Sequence, residues 1–468
     1  MGRYTGAIIL AILLTASIFA IDSSAQDTHY WTQQYGTQGE LLLGTVVGSI
    51  IDLSAVYYNP GTLALLENPS ILLGAKAFEY QSIKVEDASG DELPLQSSRL
   101  GPAPTLFAGI LPPKWLDGQL GYSVFTRNDF EFRMQAVGSG LIDADIADSL
   151  TVSGGELLVD QDVTGIWGGP TWSRAWGKIG IGASGFIAYQ GQQTRYQAIV
   201  QGLKESGGGA SATLIDAIDY WNVRLVFKLG VAWDLSPMTF GVALTAPGIG
   251  LFGQGSSLVD VFVNGMDIDE DGLPDTELVA NYIKDVPTDY RSPASIAAGC
   301  SYRYKNTTFH FSGEYFGAVE SYELMETVYF ESPTTGDTYA HRMDLGLEDV
   351  FNWGLGVEQH IRPGLKAYGS FITDRSAALD GQSTSVAVSN WDLFHLMGGA
   401  AVSFHGNDFT LGLGYTWGSE MVDNDPPDAA PNGWSTYPLL DRQYSVDYRM
   451  WKVIIGFAFG SGQGKSDS

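Results

Sequence analysis

The chain holds a single cysteine in 468 residues, Cys300, so no intramolecular disulfide can form. Cys300 falls in an apolar alternating run, where a small core or lipid-facing side chain is its simplest role. Basic residues are scarce: 25 Lys and Arg stand against 53 Asp and Glu, a formal net charge of −28. That balance argues against nucleic acid as a partner. It fits a solvated surface rich in carboxylates, or one bathed in divalent cations. The six histidines are His29, His310, His341, His360, His395 and His405, and no two have the spacing of a shared zinc site on a helix. No glycine-rich phosphate loop opens a helix and no nucleophile elbow is present. A barrel phospholipase would need Ser, His and a carboxamide or acid on its wall, and no local motif supports one, so an enzyme is not expected. Beyond residue 25 no unbroken apolar run is long enough to cross a bilayer as a helix. The chain is therefore soluble or spans as strands.

What is present points to strands. Residues 1–25 read as a signal peptide: Arg3, an apolar run Ala7–Ala20, and small residues Ser23-Ser24-Ala25 at the cleavage positions. Glycine is abundant (58 residues) and aromatics reach 12%, a composition suited to a barrel with aromatic girdles. From residue 70 on, alternation with period two recurs. Trp221, Val223, Leu225, Phe227, Leu229, Val231 and Trp233 alternate with small or polar residues. So do Phe409, Leu411, Leu413, Tyr415 and Trp417, and Trp451, Val453, Ile455, Phe457 and Phe459. A sandwich would bury such a face, whereas a membrane barrel aims it at lipid with Trp and Tyr near the ends.

Connections between these runs alternate short and long. Trp176–Lys178, Leu235–Pro237, Lys305–Asn306, Arg362–Gly364 and Gly406–Asn407 are short. Val137–Val163, Gln201–Ile218, Asn264–Pro287, Glu320–Gly346 and Glu420–Gln443 are long. Tight turns on one rim and long loops on the other predict an all-β fold, a transmembrane antiparallel β-barrel of about 14 strands over residues 70–460. The run 237–263 contains Ala246-Pro247-Gly248 and reads either as one bent strand or as a strand plus a loop excursion. Pro170 and Pro247 both predict a local kink or bulge. The tail 461–468 is polar.

Ahead of the strands, residues 26–69 contain Leu41–Leu66, an apolar, glycine-dotted stretch that carries Tyr57-Tyr58-Asn59-Pro60-Gly61 near its end. On its own it reads as a buried helix-turn, since proline pushes the residue before it out of the helical region. It resembles the N-terminal hatch, or plug, of the FadL/TodX family of outer-membrane transporters for long-chain fatty acids and hydrocarbons. That family has an Asn-Pro-Ala turn in the hatch inside a 14-strand barrel; Asn59 and Pro60 match, and Gly61 replaces the alanine. The resemblance implies hatch gating at Asn59, Pro60 and Gly61. It also implies a lateral gate at a kink in the third strand, here the run 118–136, where Arg127, Asn128 and Asp129 interrupt the alternation.

Asp267, Asp269, Asp271 and Asp275, with Gly272 among them, form the sharpest local motif. Carboxylates at alternate positions can converge on one hard cation, as in a calcium loop. The twelfth position is Leu278 rather than a bidentate Glu, with Glu277 one residue early, and the alternative is a solvated acidic loop tip. Structural calcium is the one cofactor this pattern suggests; none is required. Strand parity puts His310 with Glu314, and His360 with Glu358 and Arg362, as polar lumen-lining residues.

The expectation is a monomeric outer-membrane barrel in contact with lipid and lipopolysaccharide. It would capture a hydrophobic small molecule in an apolar pocket and release it under hatch control without an energy source. Aromatics of the long loops such as Phe252 and Trp434 could give a first landing site. The alternative is a FadL-like barrel serving protein secretion as a surface shuttle or attachment partner.

Overall fold

The computed structural model describes residues 28–66, 70–85, 95–111, 116–138, 150–204, 207–266, 274–334, 336, 338–379, 391–405, 407–423 and 443–460. The first strands are β1 (Ser70–Val85), β2 (Leu95–Leu111), β3 (Gln119–Gly138), β4 (Leu150–Trp176), β5 (Ile179–Lys204), β6 (Gly209–Leu235) and β7 (Met238–Thr245). Then follow β8 (Ile249–Met266), β9 (Asp275–Pro287), β10 (Ser295–Tyr304), β11 (Thr307–Phe316), β12 (Val319–Glu331) and β13 (Thr338–Leu347). The last are β14 (Val350–Arg362), β15 (Leu365–Asp374), β16 (Leu393–Phe404), β17 (Asn407–Asp423) and β18 (Gln443–Gly460). β1–β7, β10, β11 and β14–β18 hydrogen-bond in sequence as a closed 14-strand antiparallel barrel. Closure is made by β1 on β18, where Ser70 pairs with Gly460 on the rim of tight turns.

The alternation read from the sequence is the alternation of the wall. On β6 and β7, Trp233 faces Phe240, Val231 faces Val242, and Leu229 faces Leu244. These six side chains are 41–57% exposed on the outside. Residues that alternate with them, Lys228, Ala232 and Ala243, are buried toward the lumen. Phe409, Leu411 and Leu413 point out while Thr410 and Thr416 point in, and β18 follows the same rule with Phe457 and Phe459 outside. A greasy band encircling the barrel far exceeds the apolar patch a water-soluble monomer tolerates. Its rows of large side chains meet hydrocarbon, in the architecture of an outer-membrane barrel.

Four strands lie outside the barrel, and here the sequence reading is corrected. The long connections are largely strand. Leu150–Val163 extends β4, Gln201–Lys204 extends β5, and Gly209–Ile218 extends β6. At 27 residues β4 runs about 90 Å, well beyond the 9–11 residues that span a membrane. Asn264–Pro287 contains β9, and Glu320–Gly346 contains the β12–β13 hairpin. The run 237–263 divides at Ala246-Pro247-Gly248 into β7 and β8, both on β6: Thr245 pairs with Lys228, and Ile249 with Leu225. Pro247 thus breaks the strand, as a missing donor should. Pro170 makes no bulge: β4 keeps register with β3 through Tyr122–Pro170, and on the β5 side the same register resumes at Thr171–Ser184.

Candidate functional site

Residues 28–66 lie inside the barrel as bends and three single helical turns, Gln38–Leu41, Ala55–Tyr58 and Pro60–Leu63. The segment is apolar because it has wall on every side. Leu41, Leu42, Leu43, Val56 and Leu63 are fully buried against inward-facing residues of the barrel. Asp52 ties its two halves together. One carboxylate oxygen accepts from the backbone N–H of Thr37, Gln38 and Gly39 at 2.8–3.0 Å, and the other accepts from that of Ser54 at 2.9 Å.

Asn59, Pro60 and Gly61 dock on β5 and β6. The Asn59 carboxamide caps the following helical turn, accepting from Gly61 N–H at 2.9 Å. Its Nδ2 donates to the carbonyls of Val47 at 2.7 Å and of Val231 in the wall at 3.0 Å. Proline occupies the first helical position, where its missing N–H costs nothing. The wall opposite is paved with glycine: a Cβ on Gly182 would strike Pro60, and one on Gly230 would strike Asn59. Gly61 obeys the same constraint. A Cβ there would lie 2.8 Å from the carbonyl oxygens of Gly180 and Gly230 and from Val231 Cα. The replacement of the expected alanine by Gly61 is thus explained by backbone-to-backbone contact.

The N-terminal arm of the segment is held by Asp374, fully buried at the end of β15. One oxygen accepts from the backbone of Tyr30 at 3.1 Å and Trp31 at 2.8 Å, the other from Thr32 Oγ1 at 2.7 Å. Trp31 Nε1 donates to Glu314 Oε2 at 3.0 Å, and His29 Nε2 lies 2.8 Å from the Trp391 carbonyl.

A narrow cavity of about 60 Å³ lies between this arm and the wall. The arm contributes His29, Thr32 and Gln33, while β3 contributes Arg127, Asn128, Asp129 and Phe130. Trp391, Leu393, Tyr448 and Met450 make its apolar side. Arg127–Asp129 therefore sit at a cavity, and Asn59–Gly61 sit elsewhere, against β5 and β6. Toward the tight turns a polar vestibule of about 730 Å³ is lined by Ser49, His310, Glu358, His360 and Lys366. His310 Nδ1 is 2.9 Å from Ser49 Oγ, and Glu358 takes His360 at 2.7 Å and Lys366 at 3.2 Å. His310, Glu314 and Glu358 are buried inside the wall, while His360 and Arg362 line the vestibule but are exposed.

The wall changes at Arg127. β3 pairs with β4 through Thr126–Ile166 and resumes at Asn128–Gly165, so Arg127 is the extra residue of a bulge. Consecutive residues Arg127 and Asn128 are both buried as a result. On its other side β3 meets β2 over only the pairs Leu106–Phe125 to Leu111–Leu120. From Thr105 and Thr126 toward the loop rim the two strands share no ladder, although β2 stays paired with β1 up to Leu95. Bonds that cross the interval include Arg133 N–H to Ser97 Oγ at 3.1 Å and Gln81 Nε2 to the Glu131 carbonyl at 3.3 Å. Where the ladder ends, the Tyr35 hydroxyl donates to the Thr126 carbonyl at 3.1 Å. Tyr35, Tyr57, Phe125, Trp167 and Phe186 form one aromatic cluster there, with neighbouring centroids 4.5–6.5 Å apart.

Asp267, Asp269 and Asp271 lie outside the described residues, as does Trp434; Asp275 opens β9 by its backbone. Phe252 is 60% exposed beside Trp221. Sequence reasoning missed Tyr35, Asp52 and Asp374, whose partners are distant in the chain or backbone groups that no motif marks.

No family model and no curated protein matches this chain. Solved structures do. A Pseudomonas aeruginosa FadL homologue superposes with a TM-score of 0.60 at 12% identity, covering 92% of this chain and 99% of that one. The Pseudomonas putida toluene transporter TodX gives 0.58 at 13%, covering 92% and 100%. The Ralstonia pickettii toluene transporter TbuX gives 0.56 at 12%, covering 92% and 98%. At these identities the likeness establishes the fold: a closed 14-strand barrel shared with hydrocarbon channels.

Proposed function

We propose that this protein takes up apolar small molecules across a bacterial outer membrane. The solute is captured in the cavity over the N-terminal segment and leaves sideways between β2 and β3 into the hydrocarbon layer. The segment acts as the hatch that denies it a straight aqueous path. One observation carries the proposal: the ladder between β2 and β3 stops at Leu106–Phe125, at the bulge that lines the cavity. Unpaired backbone inside a membrane is tolerated only where protein or a cavity meets it, and here both do. A downhill gradient supplies the drive, because apolar solutes partition into acyl chains at about 25 cal/mol per Å² of buried surface. Names of the structural neighbours, which are hydrocarbon channels and toluene transporters, support the solute class. The test is mass spectrometry of apolar compounds that co-purify with the barrel, paired with uptake of radiolabelled toluene and hexadecane by proteoliposomes. Uptake no faster than in empty liposomes would reject the proposal.

A further inference from the structure

Basic residues gather where the lumen opens at the tight turns. The polar vestibule there has a volume of about 730 Å³, within the range of about 300–1,000 Å³ typical of small-molecule sites. Its lining carries four lysines and arginines, Arg303, Lys305, Arg362 and Lys366, against two carboxylates, Asp234 and Glu358. Over the whole chain the balance is the reverse, 25 against 53. The floor of the vestibule is the underside of the lumen segment, at Gln38 and residues 49–51.

The two carboxylates are engaged by other groups. Glu358 takes His360 at 2.7 Å, Lys366 at 3.2 Å and the Tyr368 hydroxyl at 3.1 Å. Asp234 Oδ1 accepts from the Ser236 N–H at 2.9 Å. The Lys305 ammonium lies 5.2 Å from the Tyr304 ring centroid. The guanidinium groups of Arg303 and Arg362 pair with no carboxylate among the described residues.

Register and parity place these cations. Arg303 lies opposite Thr308 on β11, and Thr308 opposite Glu358 on β14, in one row across three strands. Two residues further in, Ser301 lies opposite His310. Arg303 and Lys366 both sit near enough to His310 to act on its charge. The Ser301 and Thr308 hydroxyls line the same vestibule. On the opposite face of these strands Tyr302, Tyr304 and Ile361 are 41%, 53% and 56% exposed. They mark the lipid side, so the cations between them look into the lumen. Lipid headgroups lie outside the wall, and the vestibule opens to the water at the turn rim, the periplasmic one in an outer-membrane barrel.

We infer that the vestibule binds a water-soluble phosphate monoester that enters from the periplasm. Its excess of two cations matches the dianion such an ester carries above its second pKa of about 6. Arg303 takes the phosphoryl oxygens in the forked geometry that guanidinium favours, with the Thr308 and Ser301 hydroxyls as neighbouring donors. Arg362, at the end of β14 on the rim, draws the anion in across water. The organic part of the ester fills the remaining volume. This inference rests on the barrel spanning an outer membrane and not on transport through it.

The full chain, folded in an uncharged detergent at about pH 8 and low salt, is titrated by calorimetry with glucose 6-phosphate, glucose 6-sulfate and glucose. The sulfate ester has the same shape with a single charge. The phosphate binds at least about tenfold tighter than the sulfate, and glucose gives no measurable heat. Arg303 is exposed, so its variants are expected to fold. Arg303→Gln weakens phosphate binding by about tenfold or more, the scale of one charge-assisted bond. Arg303→Lys, which keeps the charge without the fork, recovers part of that loss. Lys178→Gln removes a cation from the β4–β5 turn, outside the vestibule, and leaves binding within about twofold of wild type. A chain that takes the sulfate as tightly as the phosphate, or a preference that survives Arg303→Gln, overturns the inference. Equal losses in Arg303→Gln and Lys178→Gln would assign binding to net charge and overturn it too. Lysophosphatidic acid binding tighter than glycerol 3-phosphate, the same headgroup without the acyl chain, would make this a lipid site and reject the soluble ligand. Binding is read without transport, so failure here leaves the uptake proposal standing.

Discussion

The Tyr35 hydroxyl donates to the Thr126 carbonyl at 3.1 Å, joining the lumen segment to the last residue before the β3 bulge. Tyr35 is also held from behind: its N–H donates to the Tyr58 hydroxyl at 2.9 Å, which donates to Gln34 Oε1 at 2.7 Å. A shift of the segment and a change at the β2–β3 interval therefore act on one bond. Tyr35→Phe removes that bond and keeps the ring packing against Phe125 and Tyr57. The expected cost is about 1 kcal/mol, read as faster amide exchange over residues 35–39 with heat stability of the barrel little changed. Exchange as slow as wild type would show that the bond does not restrain the segment.

Gly61→Ala places a Cβ 2.8 Å from three backbone atoms of the wall, none of which belongs to a flexible side chain. The cost of such overpacking is about 1–3 kcal/mol, and the segment is expected to lift from β5 and β6. Single-channel conductance should rise. Gly154→Ala, with nothing within 4 Å of its Cβ, is the matched control and should behave as wild type.

Asp374→Asn keeps the shape but weakens three hydrogen bonds to Tyr30, Trp31 and Thr32. Bonds to a charged acceptor contribute about 1.5–3 kcal/mol each, and the three are not additive. The arm also makes one side of the cavity, so apolar ligand affinity should fall by about tenfold or more. Unchanged affinity in titration calorimetry would separate the arm from binding.

His341 on the β12–β13 hairpin lies with Nδ1 2.7 Å from Ser257 Oγ and Nε2 3.0 Å from Asn281 Oδ1, joining the hairpin to β8 and β9. Burial pushes its pKa down from 6.5 to about 4. A depressed histidine pKa means the loosened state binds more protons, so docking is fully favoured above pH 6.5 and weakens as pH falls toward 4. Amide exchange over Thr338–Leu347, corrected for intrinsic rates, should accelerate between pH 7 and pH 5. His341→Gln should abolish the pH dependence, and its persistence would assign the effect to another group.

The membrane-spanning wall was legible because lipid imposes a strict period of two, visible in Trp221–Trp233 and Phe409–Trp417. The turn rim was legible from its short, polar connections. Above the membrane that constraint lapses: Leu150–Val163 of β4 mixes Ser, Gly, Glu, Asp and Gln with its apolar residues and reads as loop. The β8–β9 and β12–β13 pairs were missed for the same reason. Within the site, Asn59-Pro60 carries its own local chemistry, a cap and a proline at the first helical position, and Arg127-Asn128-Asp129 announced a break in parity. Asp374 did not, because its partners are more than 340 residues away and a buried aspartate at a strand end looks like any loop carboxylate. Pairing across a closed barrel leaves no local pattern to read.

The β3 bulge offers the most direct test of sideways release. Deleting Arg127 removes the extra residue and restores one-to-one register between β3 and β4, while residues on either side keep their present faces. Arg127→Ala keeps the bulge and serves as the control for the lost side chain. The measurement is initial toluene uptake by proteoliposomes holding equal amounts of folded barrel. Release between β2 and β3 predicts that the deletion slows uptake by about tenfold or more while Arg127→Ala transports like wild type, a loss of the size expected when a passage rather than a contact is removed. Uptake at the wild-type rate through a barrel with its bulge removed would contradict it.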